Sequence, residues 1–143
     1  MTREEEAVAA ASARFYDALT QLIRGNATPM SEAWHQTDRV SSGHPFGDWA
    51  HGWEQVWATW TEIAQSARNG TVVARDVRIF VHGTVAYSTC VEEIRVSYGD
   101  QSASWAANVT NVFAESDGEW KMIHHHSDKV PAAEDVVEKM MRG

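Results

Sequence analysis

The sequence has a single cysteine, no long apolar run and few basic residues. Cys90 alone cannot form an internal disulfide or a multi-cysteine metal site, and such cysteine usage is typical of a reducing compartment. No apolar run approaches the roughly eighteen residues that a membrane span needs, and the acidic N-terminus lacks the apolar region of a secretion signal. These absences predict a cytoplasmic protein that does not cross a membrane.

Acidic residues outnumber basic ones by 20 to 12, which gives a formal net charge of −8. A nucleic-acid partner requires a Lys/Arg surface that neutralises phosphates, so this charge argues against nucleic acid. Seven tryptophans are many for 143 residues and indicate either a large core or an aromatic-lined cavity. We therefore expect a small hydrophobic or polar-aromatic ligand, bound by one domain that spans residues 1–143.

The first half of the chain has the patterns of three helices. Apolar residues recur at three- and four-residue spacing in the first and third segments, as in an amphipathic helix. The second segment is short and begins at Pro29, a residue type favoured in a first helical turn. The predicted helices cover residues 4–24, 29–34 and 49–68. The Asn69-Gly70 pair is expected to end the third helix as a left-handed cap, and residues 129–143 form a tail with a weak helical pattern.

After the third helix the apolar period changes to two, which marks a switch to β-strands. Turn-forming pairs then recur at His82-Gly83, Gly99-Asp100 and Asp117-Gly118. Loops this short require antiparallel neighbours, so the pattern predicts a four-stranded meander. The predicted strands cover residues 71–81, 84–98, 101–115 and 119–127. The first three exceed the usual strand length, so the sheet is expected to bend strongly.

Helices with apolar faces must cover one face of this sheet, which makes the fold class α+β. We expect three N-terminal helices on the concave face of a strongly bent, mainly antiparallel sheet made of a short first strand, within residues 35–43, and the meander. Glu92 and Glu93 face opposite sides, so one is expected to be exposed and the other to be a buried acid or a dimer contact. Because the middle strands carry apolar residues of both parities, the second sheet face favours a homodimer formed through the sheet.

Three motifs suggest a family. They are Gly52-Trp53-Glu54-Gln55-Val56, Thr110-Asn111-Val112-Phe113 and Gly118-Glu119-Trp120-Lys121-Met122-Ile123-His124-His125-His126-Ser127. The sequence around them resembles the SnoaL-like and nuclear-transport-factor-two-like superfamily over residues 5–128. The resemblance implies a cone-shaped domain with a central pocket, on a scaffold that hosts isomerases, dehydratases, cyclases, hydrolases and association domains. In the ketosteroid isomerase branch a catalytic aspartate precedes a proline at the end of the first strand; here His44 precedes Pro45, a departure from that pattern.

The last strand carries three consecutive histidines. Because side chains alternate along a strand, Trp120, His124 and His126 are predicted to face the cavity and His125 the opposite side. Imidazole changes its charge near neutral pH, so paired histidines in a cavity can act as general acid and base. The predicted catalytic set is therefore His44, His124 and His126.

Two alternatives remain open for the strand histidines. They can have a purely structural role, hydrogen-bonded to the backbone or to Ser127 and Asp128. A His-x-His pair on a strand also suits zinc, but it needs a third ligand, for which His44 is a better candidate than Asp38 or His35. We expect a site that uses neither a metal nor a cofactor.

Together these features predict a small-molecule-binding protein that, if catalytic, performs isomerisation, dehydration or cyclisation by histidine acid/base chemistry. The predicted ligand-binding residues are Trp34, Trp57, Trp105, Asn111 and Trp120. The alternative is a non-catalytic homodimeric module for association or ligand sensing.

Overall fold

A computed structural model describes residues 1–128 and 131–142. Within these residues the helices are α1 (Arg3–Leu22), α2 (Thr28–Glu32), α3 (Gly52–Ser66) and α4 (Pro131–Arg142). The strands are β1 (Ser41–Gly43), β2 (Ala50–His51), β3 (Arg68–His82), β4 (Val85–Tyr98), β5 (Gln101–Ser116) and β6 (Glu119–Ser127). The predicted α+β class and the meander are confirmed. The tail is helical from Pro131, while its residues 129, 130 and 143 lie outside the described residues.

The strands form one mixed sheet in the order β2-β1-β6-β5-β4-β3. All neighbours are antiparallel except β1 and β6, which pair in parallel. Helix α1 packs against β3 and β6, α4 packs against β5, and α3 packs against α1, α4 and β1. We call the helix-covered side of the sheet the inner face and the opposite side the outer face. The largest fully buried side chains of the core include Phe15, Trp34, Trp60, Phe113 and Met122.

Helix α3 begins three residues later than the sequence pattern predicts. Ala50 and His51 pair with β1 as a short strand, and Gly52 turns the chain into the helix with a φ of +80°. Glycine adopts a left-handed backbone of this kind more readily than other residues. Trp49, which the helical pattern includes, therefore lies outside the helix and is about half exposed.

The predicted left-handed cap at Asn69-Gly70 is wrong. Helix α3 ends at Ser66, and Asn69, although its φ is +56°, lies within β3 at a bulge. Gly70 instead passes close to the end of α1: its amide donates to the Ile23 carbonyl at 3.1 Å, and its carbonyl accepts from Arg24 Nε at 2.9 Å. The glycine is needed for close packing between α1 and β3 rather than for a helix cap.

Replacing Gly70 with alanine is expected to destabilise the domain by about 1–3 kcal/mol, the usual cost of overpacking. An added Cβ would lie 2.2 Å from Cγ1 of Ile23, so the helix end must move. Urea unfolding of Gly70→Ala measures the effect, and Gln65→Ala on the exposed side of α3 is the matched control. Equal free energies of unfolding for the two variants would contradict this packing argument.

Candidate active site

A cavity lies between the inner face of the sheet and the helices. Its volume, counted as room for the centre of a water molecule, is about 50 Å³. Most of its wall is apolar and includes Leu19, Leu22, Ile63, Val137 and Met140. The polar and titratable residues of the wall are His44, Glu92, His125 and Ser127. An apolar cavity with a few convergent polar groups is the usual form of a small-molecule site.

His44 follows β1 and is buried in the wall of the cavity. Its ring stacks on Phe46 at a centroid distance of 5.3 Å and meets Trp60 edge to face at 4.6 Å. Its Nε2 atom is buried and has no hydrogen-bond partner. Burial lowers the pKa of His44 to about 4, so the imidazole is neutral at physiological pH. A neutral imidazole can accept a proton, and Nε2 is the His44 ring nitrogen that is buried without a partner.

A chain of buried and partly buried hydrogen bonds runs from β4 to β6 through α1 and β5. The Tyr16 hydroxyl donates to Glu92 Oε2 at 2.8 Å and accepts from Asn111 Nδ2 at 3.0 Å. Asn111 Oδ1 lies 2.7 Å from His125 Nδ1, and His125 Nε2 lies 3.3 Å from the Ser127 hydroxyl. The network therefore links Glu92 to His125, which both line the cavity.

The donors and acceptors of these hydrogen bonds determine which atoms of the network carry protons. Because the Asn111 amide nitrogen donates to Tyr16, its oxygen must accept, and His125 Nδ1 therefore carries the proton. His125 Nε2 is then the acceptor that faces Ser127. Burial, with a smaller contribution from neighbouring His44, holds the pKa of His125 well below its usual range. Burial also raises the pKa of Tyr16, so its hydroxyl stays protonated and donates.

Glu92 is the acid of the cavity. Its side chain is 2% exposed, and burial raises its pKa to about 7, although the hydrogen bond from Tyr16 opposes this shift. A carboxyl group with this pKa is protonated in a large fraction of molecules at neutral pH. It can therefore donate a proton under conditions in which an exposed glutamate cannot.

The predicted inward orientation of His124 and His126 is wrong. Val112 pairs with His124 and the next residue, Phe113, pairs with Met122, so Ile123 is an extra residue in β6. Such a bulge reverses the alternation of side chains beyond it. His125 therefore shares the inner face with Met122, and its ring centroid lies 5.5 Å from that of His44.

On the outer face, His124 and His126 pack against Trp49 at centroid distances of 5.8 and 4.9 Å. His124 Nδ1 also lies 2.7 Å from the Ser41 hydroxyl, and burial is the main reason that the pKa of His124 is lowered. The pair therefore lies outside the cavity that His44 and His125 line, although His126 and His44 both border a second, surface pocket beside Trp49. A catalytic role for the pair stays a sequence-based prediction.

The comparison with known proteins agrees with this architecture. A family model described as a SnoaL-like domain matches residues 8–133. The chain belongs to the SnoaL-like family. No curated protein matches the sequence. The family membership confirms the resemblance seen in the three sequence motifs.

Solved structures similar to this SnoaL-like domain differ in their assignments. A Streptomyces avermitilis protein, provisionally assigned as a dehydratase of the NTF2-like family, is 25% identical, with a TM-score of 0.77 over 89% of this chain and 96% of its own. A Thiobacillus denitrificans protein, provisionally assigned as a calcium/calmodulin-dependent protein kinase type II association domain, is 23% identical (TM-score 0.69; 85% and 94% covered). A provisional scytalone dehydratase from Novosphingobium aromaticivorans is 15% identical (TM-score 0.73; 87% and 82% covered).

The tryptophans of the SnoaL-like domain divide between core and cavity. Trp105 lines the cavity, and its predicted role in ligand binding stays a prediction. Trp34 and Trp120 are buried in the hydrophobic core, and Trp57 stacks on Trp53 at 5.4 Å. Of the four tryptophans predicted to bind a ligand, Trp105 is the one that the structure places in the cavity wall. The predicted Asn111 belongs to the hydrogen-bond network beside it.

Tyr16 and His125 are site residues that were not predicted from the sequence, and Glu92 was one of two possible buried acids. No local pattern distinguishes Tyr16, because its partners lie 76 and 95 residues away.

His35 and Asp38 were the weaker candidates for a third metal ligand. His35 Nε2 lies 2.8 Å from the Ala114 carbonyl oxygen, and Asp38 is exposed in a turn before β1.

Two further features follow from the described part of the chain. Its histidine, cysteine, aspartate and glutamate residues form no group of three or more that could hold a metal ion. None of its helices combines the length and the apolar character that crossing a membrane requires.

Proposed function

We propose that this SnoaL-like domain is an enzyme that transfers protons on an uncharged carbonyl compound, in an isomerisation or dehydration. The observation that carries the proposal is that the wall of one apolar cavity contains both a neutral imidazole whose Nε2 has no hydrogen-bond partner and a carboxyl group whose pKa is about 7. Pairs of titratable groups whose environments push their pKa values apart are typical of acid/base sites. The similarity to proteins provisionally assigned as dehydratases supports the same reaction class.

In this proposal His44 is the base. Its Nε2 takes a proton from the carbon next to the carbonyl group, and the electron pair of that C–H bond forms the double bond of an enol. Protonated Glu92 gives its proton to the carbonyl oxygen, which keeps the intermediate uncharged in an apolar cavity. The His44 imidazolium is then the acid for the next step.

The second step determines the product. In an isomerisation of a β,γ-unsaturated ketone, the intermediate is a conjugated dienol, and the imidazolium gives its proton to the γ-carbon. In a dehydration, the C–O bond of a β-hydroxyl group breaks and the leaving oxygen takes the imidazolium proton, which releases water. In both cases the enol oxygen returns its proton to Glu92 as the carbonyl reforms, so both residues recover their starting states.

The hydrogen-bond network holds the acid in position. Tyr16 binds only Oε2 of Glu92, which leaves Oε1 to carry the proton. Asn111 keeps the Tyr16 hydroxyl directed at the carboxyl group and fixes the tautomer of His125 beside His44. These residues act by orienting groups rather than by exchanging protons with the substrate.

Exchange of α-protons tests the first step without knowledge of the natural substrate. Benzylacetone in deuterium oxide is expected to lose its α-proton signals in the proton NMR spectrum faster with the domain than in buffer alone. His82→Ala, a change on the outer face, is the matched control and should exchange at the wild-type rate. Equal rates with and without the wild-type domain, at concentrations that saturate binding, would contradict the proposed chemistry.

A second candidate function is homodimeric association through the outer face. This face exposes large apolar side chains on β3 and β4, including Val73, Phe80, Val85 and Tyr87. Phe80 stacks on Tyr87 at 4.8 Å, which gives the patch a flat aromatic centre. Exposed apolar patches of this kind are typical of interfaces, and one similar structure is provisionally assigned as an association domain.

Replacing Phe80 with lysine is expected to convert a dimer into a monomer, because a charge placed at the centre of an apolar interface loses its hydration. Sedimentation velocity at micromolar concentration measures the change. Gln65→Lys adds the same charge on exposed helix α3 and should leave the dimer intact. A wild-type domain that sediments as a monomer at these concentrations removes this candidate.

A further inference from the structure

The cavity of the candidate active site is smaller than the ligand that the proposed function requires. Its room for the centre of a water molecule is about 50 Å³. One water molecule needs roughly 10–15 Å³ by this measure, so the cavity holds a few water molecules but not a ketone with a carbon skeleton. Protein interiors are close-packed and compress little, so part of the wall must move before such a ligand enters.

Most elements of the wall are strands of the sheet or are held to it. β4, β5 and β6 are paired along their lengths with neighbouring strands. Helix α1 is bonded to the sheet through Arg14, which donates to the Trp120 carbonyl at 3.1 Å, and through Gly70 at its end. Helix α3 runs from β2 into β3, so its displacement would disturb strand pairs. The segment with His44 lies between the paired strands β1 and β2, and its ring packs on Trp60.

Helix α4 is held mainly by a narrow apolar stripe. It packs against β5 and α3, and among its described side chains Ala133, Val137 and Met140 are buried, at helical spacing. Val137 and Met140 line the cavity, so part of the stripe faces a void, where side chains lose the attractive contacts of close packing. The Ser66 hydroxyl donates to the Met140 carbonyl at 3.4 Å, which is long for a hydrogen bond. Lifting α4 breaks no strand pair and separates an incompletely packed surface.

We propose that α4 is a lid, which moves away from β5 and α3 to admit a ligand and packs over the ligand once it is bound. Methionine is flexible, so Met140 can repack around the bound molecule. Opening exposes Val137 and Met140 to water, and the hydrophobic effect therefore returns the helix to the closed position. That the ligand is a ketone rests on the proposed function, whereas the movement of α4 is a property of the fold.

Amide hydrogen exchange, followed by NMR in deuterium oxide without a ligand, measures this movement. Amides in a helix that opens locally exchange faster than amides that need global unfolding. The amides of α4 should therefore exchange about 100-fold faster than those in the middle of α1. Urea too dilute to unfold the domain should accelerate exchange in α1 more than in α4, because local opening exposes less surface than global unfolding.

A substitution in the lid should change this opening selectively. Met140→Ala removes the larger of the two side chains through which α4 lines the cavity, and it should accelerate exchange in α4 by about tenfold or more. Lys139→Ala, an exposed neighbour on the same helix, is the matched control and should stay within about twofold of wild type. Thermal unfolding checks that the variants fold, and Val137→Ala replaces Met140→Ala if the latter does not.

Benzylacetone tests the link between the lid and the cavity. A ligand bound beneath α4 must leave before the helix opens, so binding reduces the population of the open state by mass action. At about ten times its Kd, benzylacetone should slow amide exchange in α4 by about tenfold.

The proposal is overturned if α4 exchanges as slowly as α1, or if the lid variant and Lys139→Ala behave alike. It is also overturned if benzylacetone, up to its solubility limit, leaves amide exchange in α4 unchanged. Protection of α4 by benzylacetone without α-proton exchange would separate the two proposals: the lid would stand and the catalytic function would fail. α-Proton exchange in a domain whose α4 is as protected as α1 gives the reverse outcome.

Discussion

Replacing His44 with alanine is expected to lower the rate of α-proton exchange from benzylacetone by about 10²–10⁴-fold, the usual contribution of a general base. His44 is the neutral wall residue whose Nε2 is buried without a hydrogen-bond partner, and burial lowers its pKa to about 4. No proton has to leave the imidazole before it acts at physiological pH. The exchange rate in deuterium oxide, measured by proton NMR at saturating ketone, quantifies the loss.

Two comparisons make this result specific to the position. His124→Ala removes a histidine on the outer face, and by the geometry of β6 it should leave the exchange rate within about twofold of wild type. His44→Ala should still bind butylbenzene, because the apolar wall is unchanged. The opposite result, in which His124→Ala loses exchange and His44→Ala keeps it, would contradict the assignment of His44 as the base. It would instead support the catalytic role that the sequence predicts for His124.

Replacing Glu92 with glutamine is expected to stabilise the domain at alkaline pH relative to wild type, while impairing proton transfer. Burial raises the pKa of Glu92 from an ordinary value of 4.5 to about 7, so the folded state holds a proton that the unfolded state has released. The stability from this proton is fully present below about pH 4.5 and is lost as pH rises through about 7. The shift corresponds to about 3 kcal/mol.

Glutamine is uncharged in both states and can still accept a hydrogen bond from Tyr16. The difference in free energy of unfolding between Glu92→Gln and wild type should therefore grow by about 3 kcal/mol between about pH 4.5 and about pH 8. The lowered pKa of His44 acts in the opposite direction at acid pH, but it is common to both proteins and cancels in the difference. Urea unfolding of both proteins at the two pH values measures this difference in free energy of unfolding. If the difference does not change with pH, the pKa of Glu92 is not raised.

The fold was predictable because its signals are local. Glycine turns such as Asp117-Gly118 mark the ends of the meander strands, and the change of apolar period marks where helices give way to strands. The start of α3 was not predictable in the same way. Trp49 continues the helical pattern of apolar residues, and only the pairing of Ala50 and His51 with β1 takes it out of the helix.

The site was predictable only in part, because it depends on one extra residue and on distant contacts. Strict alternation along β6 places His124 inward, and nothing in the sequence indicates that Ile123 is a bulge. The residue types were nevertheless informative, since a histidine beside His44 was expected. Which of Glu92 and Glu93 is buried depends on how α1 lies over the sheet, and Tyr16 enters the site only through that packing.

The pH dependence of α-proton exchange tests the central claim most directly. With His44 as base and protonated Glu92 as acid, the wild-type rate should rise through about pH 4, stay level, and fall above about pH 7. In Glu92→Gln the decline above about pH 7 should be absent, at a lower rate throughout. A wild-type rate that continues to rise through pH 7 would contradict the account, because it would make the Glu92 carboxylate the base.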